Sequence, residues 1–344
     1  MKRKSWKWAI LAVLIVLEAA CSDEGPRVAD ITPSRTVSEE GIPKADLGSP
    51  IAFAAASSER LVLGEQSQIR VYEAPFLTVS HTLGGVGRGP GEFQRILRVA
   101  MARDGRMAVA DLGNREVVLY KNDSTWLRDL QFTDGPVGEV GYDGTGRLML
   151  QRRATQPFSG SNAGAGMVWV YSNDTTEIYR IGTQRWSNDP PESAVLNEIR
   201  LSPTASGGAL IVYTYQGYVE KYDSKGNLLT RFALQLVAKD TVGPIVKRNP
   251  EQPGRIAFAR RQLAYGIVEL HDGTIAVLRA VQAADQNSSS SHIQVYSVKG
   301  ELLAVLRLGE LVQGIALSGN EVVTLAFNDP GPRLSFYAQP LGER

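Results

Sequence analysis

Short apolar stretches recur along the chain between glycine- and aspartate-bearing turns. One of them ends in tyrosine and returns six times: Ile69–Tyr72, Val117–Tyr120, Val168–Tyr171, Val219–Tyr222, Ile293–Tyr296 and Leu334–Tyr337. Each copy is rich in β-branched and aromatic residues, as strands are. Before each tyrosine lies a tight-turn signal: Ser57-Ser58, Asp104-Gly105, Gly144-Thr145-Gly146, Gly207-Gly208, Asp272-Gly273 and Gly319-Asn320. The Asp-Gly and Gly-rich pairs among them permit the positive φ that short hairpins require. An apolar strand follows each turn, for example Met107–Val109, Leu148–Leu150 and Ile275–Val277. A further strand follows most of the tyrosines, as at Leu228–Phe232 and Leu302–Leu306.

The repeating unit is therefore four short antiparallel strands. One such sheet cannot bury both faces alone, whereas six around an axis can. The pattern predicts an all-β fold, a six-bladed β-propeller over residues 44–344. A sandwich or solenoid could share the turns, but six in-phase copies favour the propeller. The sixth unit stops near its third strand, at Tyr337. Val28–Ile31 or Thr36–Ser38 is expected to supply its outer strand, joining the two chain ends and removing exposed edges.

Composition agrees with a folded body: 344 residues, 43% hydrophobic and 21% charged. A single cysteine excludes a disulfide framework and a multi-cysteine zinc site. Three histidines leave little material for histidine catalysis. Basic and acidic residues nearly cancel, at 37 against 36, so nothing draws the chain to nucleic acid.

The N-terminus carries Lys2, Arg3, Lys4 and Lys7, then the apolar run Ala9–Leu17. A spanning helix needs about 20 apolar residues, so this run is too short and instead has the size of a signal-peptide core. It ends in Glu18-Ala19-Ala20-Cys21, followed by Ser22-Asp23-Glu24-Gly25. This resembles a bacterial lipoprotein signal. The resemblance implies removal of residues 1–20, lipidation of Cys21 and a tether over 21–43. It also implies a periplasm-facing anchor, with Ser22 matching outer-membrane sorting. Glu18 departs from the aliphatic residue that the family places there. The alternatives are an ordinary secretory signal with an incidental cysteine, or an uncleaved anchor.

In the second unit, Gly89-Pro90-Gly91-Glu92-Phe93 precedes a strand, and Asp111 and Asn114 follow the next one. This stretch resembles an NHL repeat of the kind found in six-bladed propeller lipoproteins of bacteria. Phe93 is expected to plug between sheets. The run Gly84–Gly89 leads into a strand, so it offers no helix N-terminus to a phosphate.

Strand direction alternates in such a unit, so all the short turns share one end. The long segments 84–95, 154–166, 183–197, 235–262 and 280–291 share the other. Insertions gathered on one face of a repeat protein often mark its binding side; the alternative is that these loops are merely solvated and arginine-rich by chance. The candidate binding-face residues are Arg88, Asp111, Arg152, Arg153, Arg185, Trp186, Tyr215, Arg260, Arg261 and Arg279. Their guanidinium groups suit a small anionic ligand or an acidic protein partner.

Catalysis has less support. His81, His271 and His292 fall on different strands and ends, so they should not share a zinc ion. A calcium ion could use Asp111, Glu139, Glu198 or Asn328, although no motif points there. The expectation is a monomeric, lipid-anchored, non-catalytic binding or scaffolding propeller without cofactor. The alternatives are a metal-dependent lactonase- or lyase-type hydrolase at the central channel, and a structural part of an envelope assembly. Cys21→Ala should move the protein from the membrane to the soluble fraction and remove an acyl mass from its N-terminus. Unchanged membrane association would rule out the lipid anchor.

Overall fold

The computed structural model of the chain describes residues 25–38, 52–57, 60–73, 77–122, 124–132, 137–153, 166–172, 176–186, 190–235, 246–249, 252–258, 262–282, 289–328 and 331–339. The signal segment 1–20, Cys21, Arg260 and Arg261 lie outside them.

Two short strands come first, β1 (Arg27–Asp30) and β2 (Arg35–Ser38). Blade one is β3 (Ala52–Ser57), β4 (Arg60–Gly64), β5 (Gln68–Glu73) and β6 (Thr78–Gly84). Blade two is β7 (Ile96–Met101), β8 (Met107–Asp111), β9 (Glu116–Tyr120) and β10 (Trp126–Gln131). Blade three is β11 (Val137–Tyr142), β12 (Leu148–Arg152), β13 (Val168–Ser172) and β14 (Thr176–Ile181). A short helix, α1 (Pro190–Leu196), leads into blade four: β15 (Ile199–Pro203), β16 (Ala209–Tyr213), β17 (Tyr218–Tyr222) and β18 (Leu228–Ala233). The hairpin β19 (Val246–Asn249) and β20 (Gln252–Phe258) stands apart from the blades. Blade five is β21 (Gly266–Glu269), β22 (Ile275–Gln282), β23 (Ser289–Tyr296) and β24 (Leu302–Arg307). Blade six is β25 (Val312–Ser318), β26 (Glu321–Asn328) and β27 (Gly331–Ala338), completed by β2.

The recurrent tyrosine holds one register throughout. It pairs across its hairpin in each blade, as Leu61 with Tyr72, Met107 with Tyr120, Leu148 with Tyr171, Ala209 with Tyr222, Ile275 with Tyr296 and Val322 with Tyr337. The middle strands are covered on both faces, which is why they read as continuous apolar runs; β8 and β9 are buried along their whole length. The outer strands keep a partly exposed pattern, as in β10 and β18.

The apolar core is divided into six seams, each shared by two successive blades. Phe93 is buried in the seam between blades one and two, as expected. A side chain at Gly84, whose φ is +92°, would meet the Phe93 ring at 2.6 Å, so glycine is required there.

Both N-terminal candidates are used, where only one was needed to close the ring. β2 pairs antiparallel with β27, Val37 opposite Leu334, as the outer strand of blade six. β1 pairs parallel with β24, Val28 opposite Val305, as a fifth strand on blade five. Between them, Ser34 donates to the Phe336 carbonyl, and the Arg35 guanidinium reaches Glu321 at 3.0 Å while lying 3.8 Å above the Phe336 ring.

Three long segments carry more structure than loops. Residues 183–197 include α1, residues 235–262 include the β19–β20 hairpin, and β22 and β23 extend to Gln282 and Ser289. Ser289–Ser291 therefore pairs as strand with Ala280–Gln282.

Val37 is 3% exposed and lies in the seam between blades six and one. Val37→Asp would bury an unpaired carboxylate at the closure and should cost about 3 kcal/mol or more. Denaturant unfolding would measure it; a midpoint within error of wild type would show that closure does not limit stability.

Candidate functional site

The inner strands β3, β7, β11, β15, β21 and β25 surround a central channel of about 1160 Å³. The strand register orders its wall in layers. Toward the end that carries the long connections stand Ala52, Arg98, Glu139, Arg200, Gly266 and Gly314, one from each blade. One step further in stand Phe53, Val99, Val140, Leu201, Ile267 and Ile315, all apolar. The channel thus has a mouth charged on one side above an apolar collar.

Side chains of the charged layer reach from each blade toward the next. Arg98 Nε donates to Glu139 Oε1 at 2.7 Å, and Arg200 Nη1 reaches the same oxygen at 3.3 Å. Arg200 Nε donates to the Tyr265 carbonyl at 3.2 Å. Arg153 Nη2 donates to Glu198 Oε1 at 3.0 Å, and Arg200 Nη1 lies 3.5 Å from that oxygen. From behind, Gln151 Oε1 accepts the Glu139 amide and Gln151 Nε2 donates to the Asn197 carbonyl. On the opposite arc this layer is made of Ala52, Gly266 and Gly314, and the blades approach closely. A Cβ on Gly266 would come within 2.5 Å of Ile315, and one on Gly314 within 2.4 Å of Phe53.

Burial alone would push the Glu139 carboxyl up. The Arg98 and Arg200 guanidinium groups outweigh it and hold the group below the usual carboxylate range. Burial pulls the Arg200 guanidinium down, against the pull of Glu139. Tyr215 is raised, first by burial and then by Glu198 and Tyr265. Three guanidinium groups thus share two carboxylates. Nη2 of Arg98 and Nη2 of Arg200 carry no hydrogen bond among the described residues.

Of the residues picked from the sequence, Arg153 and Tyr215 belong to this mouth. Asp111 is fully buried and accepts the backbone amides of Gln94, Arg95, Gly113 and Asn114, pinning the segment that enters its blade. Arg279 is 1% exposed and donates to the Leu263 and Gln235 carbonyls and to Gln294. Arg152 is buried, stacked 4.0 Å over Trp169 and 5.1 Å from Phe132. Arg185 is exposed and lies 4.9 Å over the Tyr218 ring; Trp186 is half-buried beside it, and Arg88 is exposed between blades one and two. The structure therefore does not gather these residues into one patch. Asp111, Arg152 and Arg279 sit within the wall.

His81 lies on β6, His271 in the turn before β22, and His292 within β23. Among the described residues, no three histidine, cysteine or carboxylate side chains come together as metal ligands. Of the calcium candidates, Glu139 and Glu198 are engaged by arginines and Asp111 by backbone amides; Asn328 pairs with Gly331 in blade six.

Arg98 and Arg200 were not among the sequence candidates. Yet Arg98, Glu139 and Arg200 each stand seven positions before a positive-φ turn glycine: Gly105, Gly146 and Gly207. Each is also the charged residue inside an apolar inner strand, which is the signal that could have found them.

No protein-family profile and no curated protein matches the sequence. Among solved structures, a protein of Bacteroides fragilis NCTC 9343 described as exported is similar at 9% identity, over 92% of this chain and 99% of that one, with a TM-score of 0.58. The protein U3-55K is similar at 12% identity, over 91% of this chain and 100% of that one, with a TM-score of 0.52. These likenesses concern the fold.

Glu139 is held ionised in the folded chain, so its contribution to stability is complete above the ordinary carboxylate range. It is lost as pH falls through the lowered folded value. Glu139→Gln should cost about 2 kcal/mol at pH 7. The gap to wild type should close in acid, as measured by denaturant unfolding. A gap that stayed constant down to pH 3 would contradict this role.

Proposed function

We propose that the chain is a lipid-anchored, periplasm-facing propeller of the outer membrane that binds a ligand or partner at the upper mouth of its channel. It acts there as a monomeric, non-catalytic binding or scaffolding protein. The observation that carries this reading is the Arg98–Glu139–Arg200 seam. It places incompletely used guanidinium groups at an open mouth, on the end that collects the long connections. The engagement of Glu139 and Glu198 by arginines supports charge recognition over metal ligation. The N-terminal residues resembling a lipoprotein signal support the envelope location, and the NHL-like second blade supports a place among bacterial propeller lipoproteins.

A photoreactive side chain in place of Tyr215 or Gln262, at the upper mouth, should give adducts in living cells, whether to a protein or as a small mass increment. The same group in place of Asp272 or Lys299, on the lower turns, should give none. Adducts from the lower positions alone, or from neither end, would overturn the reading.

A further inference from the structure

We infer that the upper mouth takes a monocarboxylate bearing an apolar body, its carboxylate held by the free Nη2 donors of Arg98 and Arg200 and its body lodged in the apolar collar below. This deepens the proposed function and rests on it.

The charge at the mouth supports a monoanion. Among the described residues, Arg98, Arg153 and Arg200 share Glu139 and Glu198, so this cluster carries one positive charge more than it neutralises. The donors support a carboxylate. Both Arg98 and Arg200 already give one N–H to a single carboxylate oxygen, Glu139 Oε1, and each keeps its Nη2 end free among the described residues. An arriving anion would add its charge to that of Glu139 in favouring the Arg200 guanidinium, against the burial that pulls it down.

The collar dictates the rest of the ligand. Val99, Val140 and Ile267 are buried in the seams, but Phe53, Leu201 and Ile315 keep part of their surface open on the channel wall, and none of the six side chains can hydrogen-bond, so an apolar body fits there. Across the mouth, Ala52, Gly266 and Gly314 supply no cationic side chain for a second acidic group. A diacid or a phosphate dianion would leave charge uncompensated. Two sources fit this chemistry: a free aliphatic acid, and the C-terminal carboxylate of a chain ending in an apolar residue.

The test uses the full chain and calorimetric titration with octanoate, acetate, octanamide, inorganic phosphate and a short peptide ending in leucine, with its terminus free or amidated. The free-carboxylate apolar probes should bind at one site per chain, at least tenfold tighter than acetate, phosphate or their amides. Octanoate binding without peptide binding would identify a free acid; the converse would identify a C-terminus. Arg98→Gln and Arg200→Gln should each weaken binding at least tenfold. Because both residues also staple blades, Arg98→Lys serves as a second variant: it keeps a cation for Glu139 but lacks the second donor, and should lose affinity with little change in melting temperature. Equal binding of acid and amide, tighter binding of phosphate, or no binding of any probe would overturn the inference. If the upper-mouth adducts nonetheless form in cells, only the ligand class is wrong; if they are absent too, the binding reading fails with it.

Discussion

The antiparallel pairing of β2 with β27 converts an open row of blades into a ring. Every blade has two apolar faces, and each is buried only because another blade stands against it. Without closure, blade six would end on three strands, and the seam holding Val37, Leu61, Leu334 and Phe336 would lose its outer cover. The channel exists only inside the closed ring, since its charged layer takes Arg98, Glu139 and Arg200 from three different blades.

The two ends of the ring are held differently, which accounts for where the chain tolerates insertion. At the lower end, side chains of one blade reach the turn glycine of the next. Arg106 donates to the Gly146 carbonyl at 2.7 Å, Arg147 to the Gly207 carbonyl, and His271 Nε2 lies 2.8 Å from the Gly319 carbonyl. A longer turn would break this chain of contacts. At the upper end, the backbone of the entering segment is pinned from within the wall instead. Asp111 pins it in blade two and Arg279 in blade five; in blade four, the Tyr213 hydroxyl accepts the Thr183 amide. Beyond those pins the chain is free to elaborate, as α1 and the β19–β20 hairpin show.

The fold was legible because its determinants are local. A tyrosine facing the start of the preceding strand, and in five of the six blades a glycine with positive φ at the hairpin, recur in phase and need no knowledge of distant contacts. The site was only partly legible. Its key contacts join Arg98 to Glu139 and Glu139 to Arg200, across blades, and periodicity within one blade says nothing of them. Conversely, Asp111 and Arg279 read as surface chemistry because charged residues near strand ends usually meet water. Here they satisfy buried backbone groups of the entering segment, which would otherwise be left unpaired.

The strap formed by β1 and β2 also sets an order of events. Ser34 bonds to Phe336 across a sequence separation of 302 residues, so the first strands made must wait for the last ones before they can pair. Such a contact closes late, because its loop entropy is met only when the intervening blades are already in place. Until then, β27 presents an unpaired edge that accepts a strand of this sequence from any copy of the chain. At high local concentration, the same clasp that completes one molecule can therefore be exchanged between two, giving strand-swapped dimers with every seam intact.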